Sequence, residues 1–582
     1  MDEKELIFMT ADMKYKLWLD RVPVGTELYD QLKTIANDTQ EIESRFLNDL
    51  TFGTAGLRGI MGAGTDRMNI YTVRRAALAY GQYIKNADLP DTCVIAYDTR
   101  NNGLLFSQTC AVALAEEGIQ VYLFRKPTPT PVLSFAVRHL KTGGGVVMTA
   151  SHNPAPYNGM KCYGSDGCQQ TDEPAAEVFD RMQQLPMISE AQVGFEELVE
   201  QGKIKLIYEE VYDAYYEAVL GEMIGGDKIA PSGLKVLYTP LHGTGLVPVT
   251  ELFDRLGVNY DLVTSQVEPN GDFPTCPYPN PETEDAFSEA QKASQGKNYD
   301  VIIATDPDAD RVAIAVPQQD GSLVRLSGNE LGCMLLEFIL KTRRDMGTLP
   351  QSPKCIKSIV TTPMVKNIAK AYDCENIDVL TGFKYIGSTI LGLEQQGRED
   401  RVVFAFEESC GFLKGTYARD KDAQIACVLV VALAAACKLE GVSITEKLSQ
   451  MYRTYGFYKT QVVSVNLDGE KGKALCSQFI ESYRQKAPKS LAGLPVTAVS
   501  DYKLGVEKNL VSGEEQTLHF PSSNVISLLM GSQGQVILRP SGTEPKLKIY
   551  FFACQKEEPD AEETLAALVS HMKQALKDFG IQ

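Results

Sequence analysis

The chain has 582 residues, a formal net charge of −18, and 44% hydrophobic and 23% charged residues. This length exceeds what one hydrophobic core supports, so we expect several domains. The acidic balance, without a cluster of Lys and Arg, argues against a protein that binds nucleic acid. A phosphorylated small molecule stays compatible with this charge, because a local basic cleft can attract it.

The sequence also favours a cytoplasmic protein that does not bind a membrane. Residues 1–5 are mostly charged, whereas a signal peptide needs an apolar core. The longest apolar run, Ile425 to Cys437, is shorter than the ~20 residues that span a bilayer, and we expect a buried helix there. Thirteen cysteines without a CxxC pair favour reduced thiols over a disulfide framework or a zinc site.

The first 60 residues predict helices followed by a glycine-rich loop. Residues 1–50 show helical spacing, with a break and a cap at residues 23–26. Residues 53–59 then contain three glycines and Arg58. Such a loop brings backbone N–H groups close to an anion, and the guanidinium adds a phosphate contact. A plain turn is the alternative for this segment.

A strand–helix–strand pattern then recurs three times. The first strand of each repeat is predicted at residues 93–98, 235–240 and 358–363. The second strand is predicted at residues 121–124, 260–263 and 377–380. The third strand of each repeat ends in a polar loop, at residues 149–154, 305–311 and 406–411. This pattern predicts three similar α/β domains with mixed, largely parallel sheets. In such sheets ligands bind beyond the carboxyl ends of the strands, so we expect the three loops to face a central cleft.

The last part of the chain predicts a smaller α+β domain. Strands are expected at residues 460–465 and 535–538, and a closing helix presents Leu568, Met572 and Leu576 on one face. The predicted domains are 1–210, 211–322, 323–452 and 453–582.

The loop at residues 149–161 carries a candidate nucleophile. Ser151 follows a buried strand, and Lys161 returns ten residues later. A serine at a strand end can accept and donate a phosphoryl group, and a nearby ammonium can balance charge or assist proton movement. His152 is adjacent, but in an extended tip successive side chains point to opposite faces, so a hydrolytic Ser–His pair is not expected. An ordinary loop serine is the alternative.

Asp306, Asp308 and Asp310 form a candidate metal site after an apolar strand. Crowded carboxylates resist joint ionisation unless a cation lies between them, and oxygen ligands near phosphate chemistry favour Mg²⁺. An EF-hand is excluded, because Arg311 and Pro317 stand where that loop needs Gly and Glu. A solvated acidic turn is the alternative.

Two later loops offer polar contacts for a ligand. Glu407 and Ser409 end a strand, where they can bind sugar hydroxyls. Arg539 is followed by Ser541, Gly542 and Thr543, a set that can hold a phosphate without a metal.

Together these segments, in this order, resemble the α-D-phosphohexomutase superfamily, and most closely its phosphoglucomutase branch, over nearly the whole chain. The resemblance implies three α/β domains and a C-terminal domain around a central cleft. It implies reversible conversion of glucose 1-phosphate and glucose 6-phosphate through a phosphoserine enzyme and a glucose 1,6-bisphosphate intermediate. It further implies one Mg²⁺ ion per chain and small sugar phosphates as ligands, while monomer and dimer both stay open.

The resemblance also implies roles for individual residues. Ser151 would be the phosphorylated serine and, with Asp306, Asp308 and Asp310, would hold Mg²⁺. The other implied catalytic residues are Arg58, His152, Lys161 and Lys421. The implied substrate contacts are Arg311, Lys384, Glu407, Ser409, Arg539, Ser541, Gly542 and Thr543.

Departures from the family pattern leave alternatives open. Phe406 occupies the usual glycine position of the sugar loop, and Gly411 stands where phosphomannomutase-type members commonly carry His. The second departure argues against mannose as a further substrate. A phosphopentomutase, a phosphomannomutase, a Mg²⁺-dependent phosphatase and a non-catalytic sugar-phosphate sensor remain alternatives.

Overall fold

A computed structural model describes residues 9–52, 56–467, 469–540 and 546–581. The chain forms two compact units. The first comprises Met1–Leu326, Gly387–Asp400 and Cys410–Leu439, and the second comprises Ser327–Ile386, Arg401–Ser409 and Glu440–Gln582.

The first unit begins with a small helical cluster. Its helices are Ala11–Arg21, Glu27–Thr34 and Thr39–Phe46. The predicted cap is confirmed at Thr26, whose hydroxyl accepts a hydrogen bond from the backbone N–H of Tyr29. Trp18 and Phe46 are fully buried and pack edge to face, with ring centroids 5.7 Å apart.

The first α/β sheet of this unit has six strands in the order β1-β5-β4-β2-β3-β6. Its strands are β1 (Gly56–Ile60), β2 (Thr92–Tyr97), β3 (Gln120–Phe124), β4 (Gly144–Met148), β5 (Tyr157–Gly164) and β6 (Ile204–Ile207), and its helices are Ile70–Asn86, Gly103–Glu116, Thr130–His139, Asp172–Gln184, Phe195–Glu200 and Glu209–Gly221. Strand β2 pairs in parallel with β3 on one side and β4 on the other. The strand order thus reverses between β2 and β4, which places a crevice at their carboxyl ends.

The second α/β sheet has five strands in the order β11-β10-β9-β7-β8. Its strands are β7 (Lys235–Thr239), β8 (Asn259–Leu262), β9 (Val301–Thr305), β10 (Val312–Pro317) and β11 (Leu323–Leu326), with helices Ile229–Ser232, Leu246–Arg255 and Ser288–Ser294 and 3-10 turns Gly226–Lys228, Thr264–Gln266 and Asp285–Phe287. Strands β9 and β10 pair antiparallel, and residues 306–311 form the connection between them.

The second unit contains three strands of the third α/β domain, whose residues 387–400 and 410–439 belong to the first unit. It has β12 (Lys354–Ser358), β13 (Glu375–Val379) and β14 (Val402–Glu407), with β12 parallel to both others. Helices Gly328–Asp345 and Met364–Ala371 accompany them, and helix Phe383–Glu394 and the 3-10 turn Glu399–Arg401 follow β13. The strand predicted at residues 358–363 was wrong in position, because β12 ends at Ser358. There the hydroxyls of Ser358 and Thr361 lie 2.8 Å apart and the Thr361 N–H bonds to the Ser358 carbonyl, so the chain turns.

The predicted buried helix at residues 425–437 is confirmed. After β15 (Gly411–Leu413), helix Ala423–Leu439 buries every residue from 423 to 437. It is apolar around its whole circumference, as expected for a helix enclosed by other elements. In the part of the chain that the structure describes, no single helix has the length and apolar composition to cross a membrane. One pair, Ala423–Leu439 with Ile444–Tyr455, meets those two criteria together but bends by 87°.

The C-terminal domain is built on a seven-stranded sheet in the order β16-β24-β23-β22-β19-β20-β21. The seven strands are β16 (Phe457–Asn466), β19 (Ala498–Asp501), β20 (Val506–Asn509), β21 (Glu515–Thr517), β22 (Ile526–Met530), β23 (Gly534–Pro540) and β24 (Lys546–Gln555). Strands β17 (Ser490–Leu491) and β18 (Leu494–Pro495) form a separate two-stranded sheet, and the helices of the domain are Gly469–Gln485 and Glu558–Asp578. The closing helix buries Leu568, Met572 and Leu576 against the sheet, as its spacing predicts. The predicted fold class is confirmed: three α/β domains and a C-terminal α+β domain. The exact domain boundaries and the central cleft stay predictions.

Candidate functional site

Ser151 lies just past the carboxyl end of β4, in a strained turn. Its φ is +52°, in the left-handed region that costs an L-residue about 1–2 kcal/mol. Its backbone N–H donates to the Thr149 hydroxyl at 2.8 Å, and its own Oγ donates to Asp306 Oδ2 at 2.9 Å. Only 3% of Ser151 is exposed. The turn therefore directs the serine hydroxyl at the aspartate cluster, away from bulk water.

The expectation that the Ser151 tip is extended was wrong. Because the chain turns at Ser151, its Oγ lies 3.2 Å from His152 Nδ1, within hydrogen-bond distance. Desolvation and the charges of Arg311 and Arg58 hold the pKa of His152 well below its usual value. The imidazole is therefore neutral at physiological pH and can exchange a proton with a neighbouring oxygen.

Asp306, Asp308 and Asp310 form a buried carboxylate cluster in the connection from β9 to β10. One ligand oxygen from each lies within 4.8 Å of the others, and all three side chains are buried. Among the described residues, Asp308 Oδ1 and Asp310 Oδ1 have no hydrogen-bond partner. Buried anionic oxygens without partners are costly, and a hard divalent cation with oxygen ligands satisfies them. The residues present therefore fit a Mg²⁺ ion.

The electrostatics of the cluster are asymmetric. Burial and the charges of Asp308 and Asp310 raise the pKa of Asp306 well above its ordinary value. Burial acts in the same direction on Asp308, but the Lys161 ammonium outweighs it and holds the pKa of Asp308 far below its ordinary value. Asp306 is thus the carboxylate that gains most from an added positive charge.

Two lysines and an arginine surround the aspartates. Lys161 Nζ, on β5, lies 2.8 Å from Asp308 Oδ2 and 3.7 Å from Asp310 Oδ2. Burial would lower the pKa of Lys161, but these two carboxylates raise it above its usual value, so the amine stays charged. Lys421 Nζ lies 3.1 Å from Asp310 Oδ2, and Arg311 Nε lies 3.8 Å from Asp310 Oδ1.

Arg58 lies on β1, where the antiparallel register with β5 places it opposite Gly159. A Cβ on Gly159 would lie 2.6 Å from the Thr149 carbonyl oxygen and 2.7 Å from the Leu57 carbonyl oxygen. This glycine therefore allows the strand that carries Arg58 to approach the Ser151 loop closely. Arg58 is exposed.

Lys421 approaches Asp310 across a glycine. A Cβ on Gly411 would lie 2.2 Å from Lys421 Cδ and 2.7 Å from its Cγ. A side chain at position 411 would therefore displace the lysine stem from its present path. The absence of a side chain at position 411 therefore leaves room for Lys421.

The second unit holds the remaining predicted contacts that the structure describes. Glu407 is buried at the end of β14, and its Oε1 accepts a hydrogen bond from the Gly382 N–H at 2.7 Å. This places it beside the segment that carries Lys384, a buried lysine whose Nζ lies 5.1 Å from the centre of the Tyr385 ring. Ser409 is half-buried beyond β14.

The phosphate-binding segment is only partly described. Arg539 lies near the end of β23, half-buried, opposite Lys548 of β24. Ser541, Gly542 and Thr543 lie outside the described residues.

Four functional candidates of the first unit were missed by sequence reasoning. Thr130 donates its hydroxyl to Asp308 Oδ2 at 2.9 Å, and its N–H bonds to the Asp308 carbonyl at 2.9 Å. Glu282 Oε1 accepts from Arg311 Nη1 at 2.7 Å. Asp98 and Arg100 follow β2 at the sheet's crevice. Their position at a predicted strand end was the signal that could have found them.

Comparison with known families identifies all four parts of the chain. Residues 49–187, 213–321 and 327–455 match the models of phosphoglucomutase/phosphomannomutase alpha/beta/alpha domains I, II and III, and residues 529–568 match the C-terminal domain of that family.

Individual relatives match over nearly the whole length. A phosphoglucomutase from Staphylococcus aureus strain MSSA476 is 35% identical over 569 residues, which are 96% of this chain and 99% of that protein. The crystal structure of a putative phosphomannomutase from Thermus thermophilus has a TM-score of 0.68 at 21% identity and covers 91% of this chain and 99% of that chain. The open form of parafusin, a phosphoglucomutase from Paramecium, has a TM-score of 0.67 at 15% identity, with 92% and 96% covered. The two structures establish the likeness of fold.

Proposed function

Because the chain belongs to the phosphoglucomutase/phosphomannomutase family of the α-D-phosphohexomutase superfamily, and is thus an isomerase that transfers phosphate intramolecularly, we propose that it interconverts glucose 1-phosphate and glucose 6-phosphate through phosphorylated Ser151. The observation that carries this proposal is the 2.9 Å contact between Ser151 Oγ and Asp306 in a cluster that fits Mg²⁺. A hydroxyl held against a divalent-cation site is the arrangement that phosphoryl transfer requires.

In the proposed reaction, phosphorylated Ser151 gives its phosphoryl group to the free hydroxyl of the sugar phosphate. The bond from phosphorus to Ser151 Oγ breaks and a bond from phosphorus to the sugar oxygen forms. The proton of the sugar hydroxyl passes, by way of His152, to Ser151 Oγ, which becomes a free hydroxyl again. The product of this half is glucose 1,6-bisphosphate, which turns over and returns its other phosphoryl group to Ser151. The two halves together move phosphate between the two sugar positions with no net consumption of phosphate.

The residues around Ser151 position groups and move protons in this scheme. Lys161 holds Asp308 ionised and, with Arg58, balances the charge that develops on the transferred group. His152, neutral and 3.2 Å from Ser151 Oγ, can accept or return the proton. Ser151, Asp306, Asp308 and Asp310 would hold Mg²⁺, which when bound supplies neutralisation of the phosphate charge.

We assign substrate contacts to the other predicted residues. Arg311 and Lys421 lie beside the aspartate cluster, where they can contact the reacting phosphate. Glu407 and Ser409 would bind sugar hydroxyls, and Lys384 would approach the sugar phosphate. Arg539, with Ser541, Gly542 and Thr543, would hold the phosphate that does not react.

Glucose is the proposed sugar because the Staphylococcus aureus relative, which matches nearly the whole chain at 35% identity, carries the name phosphoglucomutase. Gly411 supports this choice, since a larger residue there would displace Lys421. Turnover measured side by side on glucose, mannose, ribose and deoxyribose phosphates tests it. A higher kcat/KM for a mannose or pentose phosphate would replace glucose, and inorganic phosphate as the main product would favour a phosphatase.

Labelling of the serine tests the mechanism. The protein is incubated with glucose 1,6-bisphosphate labelled at both phosphates, and we expect label on Ser151 and none on Ser151→Ala, which should also lose mutase turnover. Ser107→Ala is the matched control, because Ser107 is also buried and its hydroxyl has no hydrogen-bond partner in the described part of the chain. Its loss should change neither labelling nor turnover. Normal turnover by Ser151→Ala would refute the proposal.

Location and assembly also remain proposals. The cysteine pattern favours the cytoplasm, and sugar phosphates are the proposed partners. Sedimentation of the purified chain distinguishes a monomer from a dimer.

A further inference from the structure

Arg100 binds the backbone of the Ser151 loop at four points. Its guanidinium donates to the carbonyl oxygen of Ser151 at 2.5 Å and to those of Pro154 and Tyr157 at 3.0 Å each, and also to that of Asn153. These four carbonyls span the turn that begins at Ser151 and ends where β5 begins. The single side chain of Arg100 therefore links the beginning of the loop to its end.

Arg100 is itself held in place by a carboxylate and an aromatic ring. Asp98 Oδ2 lies 3.3 Å from Arg100 Nε, and both side chains are fully buried. The guanidinium carbon also lies 5.0 Å from the centre of the Phe273 ring, which belongs to the second α/β domain of the same unit. A guanidinium paired with a carboxylate and stacked on an aromatic face has little freedom to move.

A second connection reaches the nucleophile through the same carboxylate. Asp98 Oδ2 accepts a hydrogen bond from the Thr149 hydroxyl at 2.5 Å, and that hydroxyl accepts from the Ser151 N–H at 2.8 Å. The carbonyl of Ser151 is held by Arg100 and its N–H by this relay. Both peptide groups that flank the serine are thus fixed by one buried ion pair.

We propose that Arg100 is the positioning residue of the nucleophile: it holds the Ser151 loop in the left-handed turn that directs the hydroxyl at the aspartate cluster. This inference rests on the proposed function, in which Ser151 is the residue that carries the phosphoryl group. Arg100 contacts the loop backbone and acts on catalysis through Ser151. A misplacement of about 1 Å at a reacting atom can reduce a rate by about a hundredfold.

The planar fork of arginine is essential to this role. Lysine keeps the charge and most of the length, but its ammonium has three N–H donors on a single nitrogen and cannot donate to all four carbonyl oxygens. Arg100→Lys should therefore loosen the turn and leave carbonyls unsatisfied while the ion pair with Asp98 is retained.

The experiment compares Arg100→Lys with Arg75→Lys. Arg75 is a matched control in the same domain: it is 5% exposed, pairs with Asp49 at 3.0 Å and donates to the Leu185 carbonyl, away from the Ser151 loop. Arg100→Lys should lower kcat roughly a hundredfold and lower the rate of Ser151 labelling in parallel, with KM changed less than about threefold. Arg75→Lys should lose stability comparably, yet keep kcat and labelling within about twofold of the parent.

Asp98→Asn keeps the test decisive if Arg100→Lys does not fold. The amide retains the shape but removes the charge that orients Arg100, so kcat and Ser151 labelling should both fall about tenfold at unchanged KM. Unchanged kcat in Arg100→Lys, or in Asp98→Asn if the first variant is unfolded, would overturn the inference. A kcat loss that Arg75→Lys reproduces would also overturn it. Failure of the proposed function is recognised separately, because Ser151→Ala would then keep its turnover.

Discussion

Lys161→Met tests whether the aspartate cluster is a cation site by a measurement that does not depend on turnover. Lys161 Nζ lies 2.8 Å from Asp308 Oδ2, and the two side chains are 11% and 0% exposed. Removing one partner of a buried pair costs about 3–5 kcal/mol. Thr130 still bonds to Asp308, and Lys421 still pairs with Asp310, so we expect a loss of free energy of unfolding near the lower end, ~3 kcal/mol.

Magnesium should reduce this loss. Without the lysine charge the carboxylates attract a cation more strongly, so Mg²⁺ should bind the variant about tenfold more tightly. At saturating Mg²⁺ that difference returns ~1.4 kcal/mol of the lost stability. The loss should therefore be ~3 kcal/mol in chelator and about half of that in excess Mg²⁺.

Urea unfolding followed by tryptophan fluorescence measures both values. Trp18 is the only tryptophan of the chain, and it is buried in the unit that contains the cluster, so its emission reports on that unit. Lys14→Met is the matched control: Lys14 pairs with Asp49 at 2.7 Å, and the two side chains are 10% and 15% exposed. Its loss of stability should be the same with and without Mg²⁺. A Lys161→Met loss that is equally independent of Mg²⁺ would refute the metal-site reasoning.

Three further predictions concern a titration, a side-chain support and the N-terminal core. Burial raises the pKa of Asp98 to about 6. Protonation of Asp98 below that pH removes the counter-ion of Arg100, so kcat should fall there. A profile of kcat between about pH 5 and 8 measures this fall, and Asp98→Asn should lack it. The folded pKa of Asp98 exceeds its unfolded value of about 4, so the folded state binds the proton first. The free energy of unfolding should therefore rise by ~1.4 kcal/mol for each pH unit as the pH falls from 6 to 4. Urea titrations measure this slope, and Asp98→Asn should lack it. Glu282→Gln removes the ion pair that holds Arg311 in place. Steady-state kinetics should show KM raised roughly fivefold, which corresponds to ~1 kcal/mol of lost substrate binding, with kcat little changed. An unchanged KM would show that Arg311 does not need this ion pair. Phe46→Ala should lower the free energy of unfolding by about 3–5 kcal/mol in urea titrations, because the Phe46 ring is fully buried between Tyr15 and Trp18. A loss under ~1 kcal/mol would contradict that packing.

The positions of several strands follow from local sequence signals. Strands β2, β4, β7, β9 and β14 lie within a few residues of their predicted positions, because runs of apolar residues bounded by glycine, proline and polar residues are a local signal. The strand predicted at residues 358–363 failed because Ile359 and Val360 continue the apolar run past the turn at Ser358. Side-chain hydrogen bonds there decided the boundary, and an apolar pattern does not report them.

The sequence alone determined the reactive groups: a serine at one strand end and three aspartates at alternate positions at another. Each of these signals needs only a few adjacent residues. Tertiary structure decided which groups meet. Arg100 reaches Ser151 from 51 residues away, and Thr130 reaches Asp308 from 178 residues away, along paths that only the order of strands in two sheets defines. It also decided that Ser151 turns toward His152, since a left-handed φ on a non-glycine residue persists only where surrounding contacts compensate its strain.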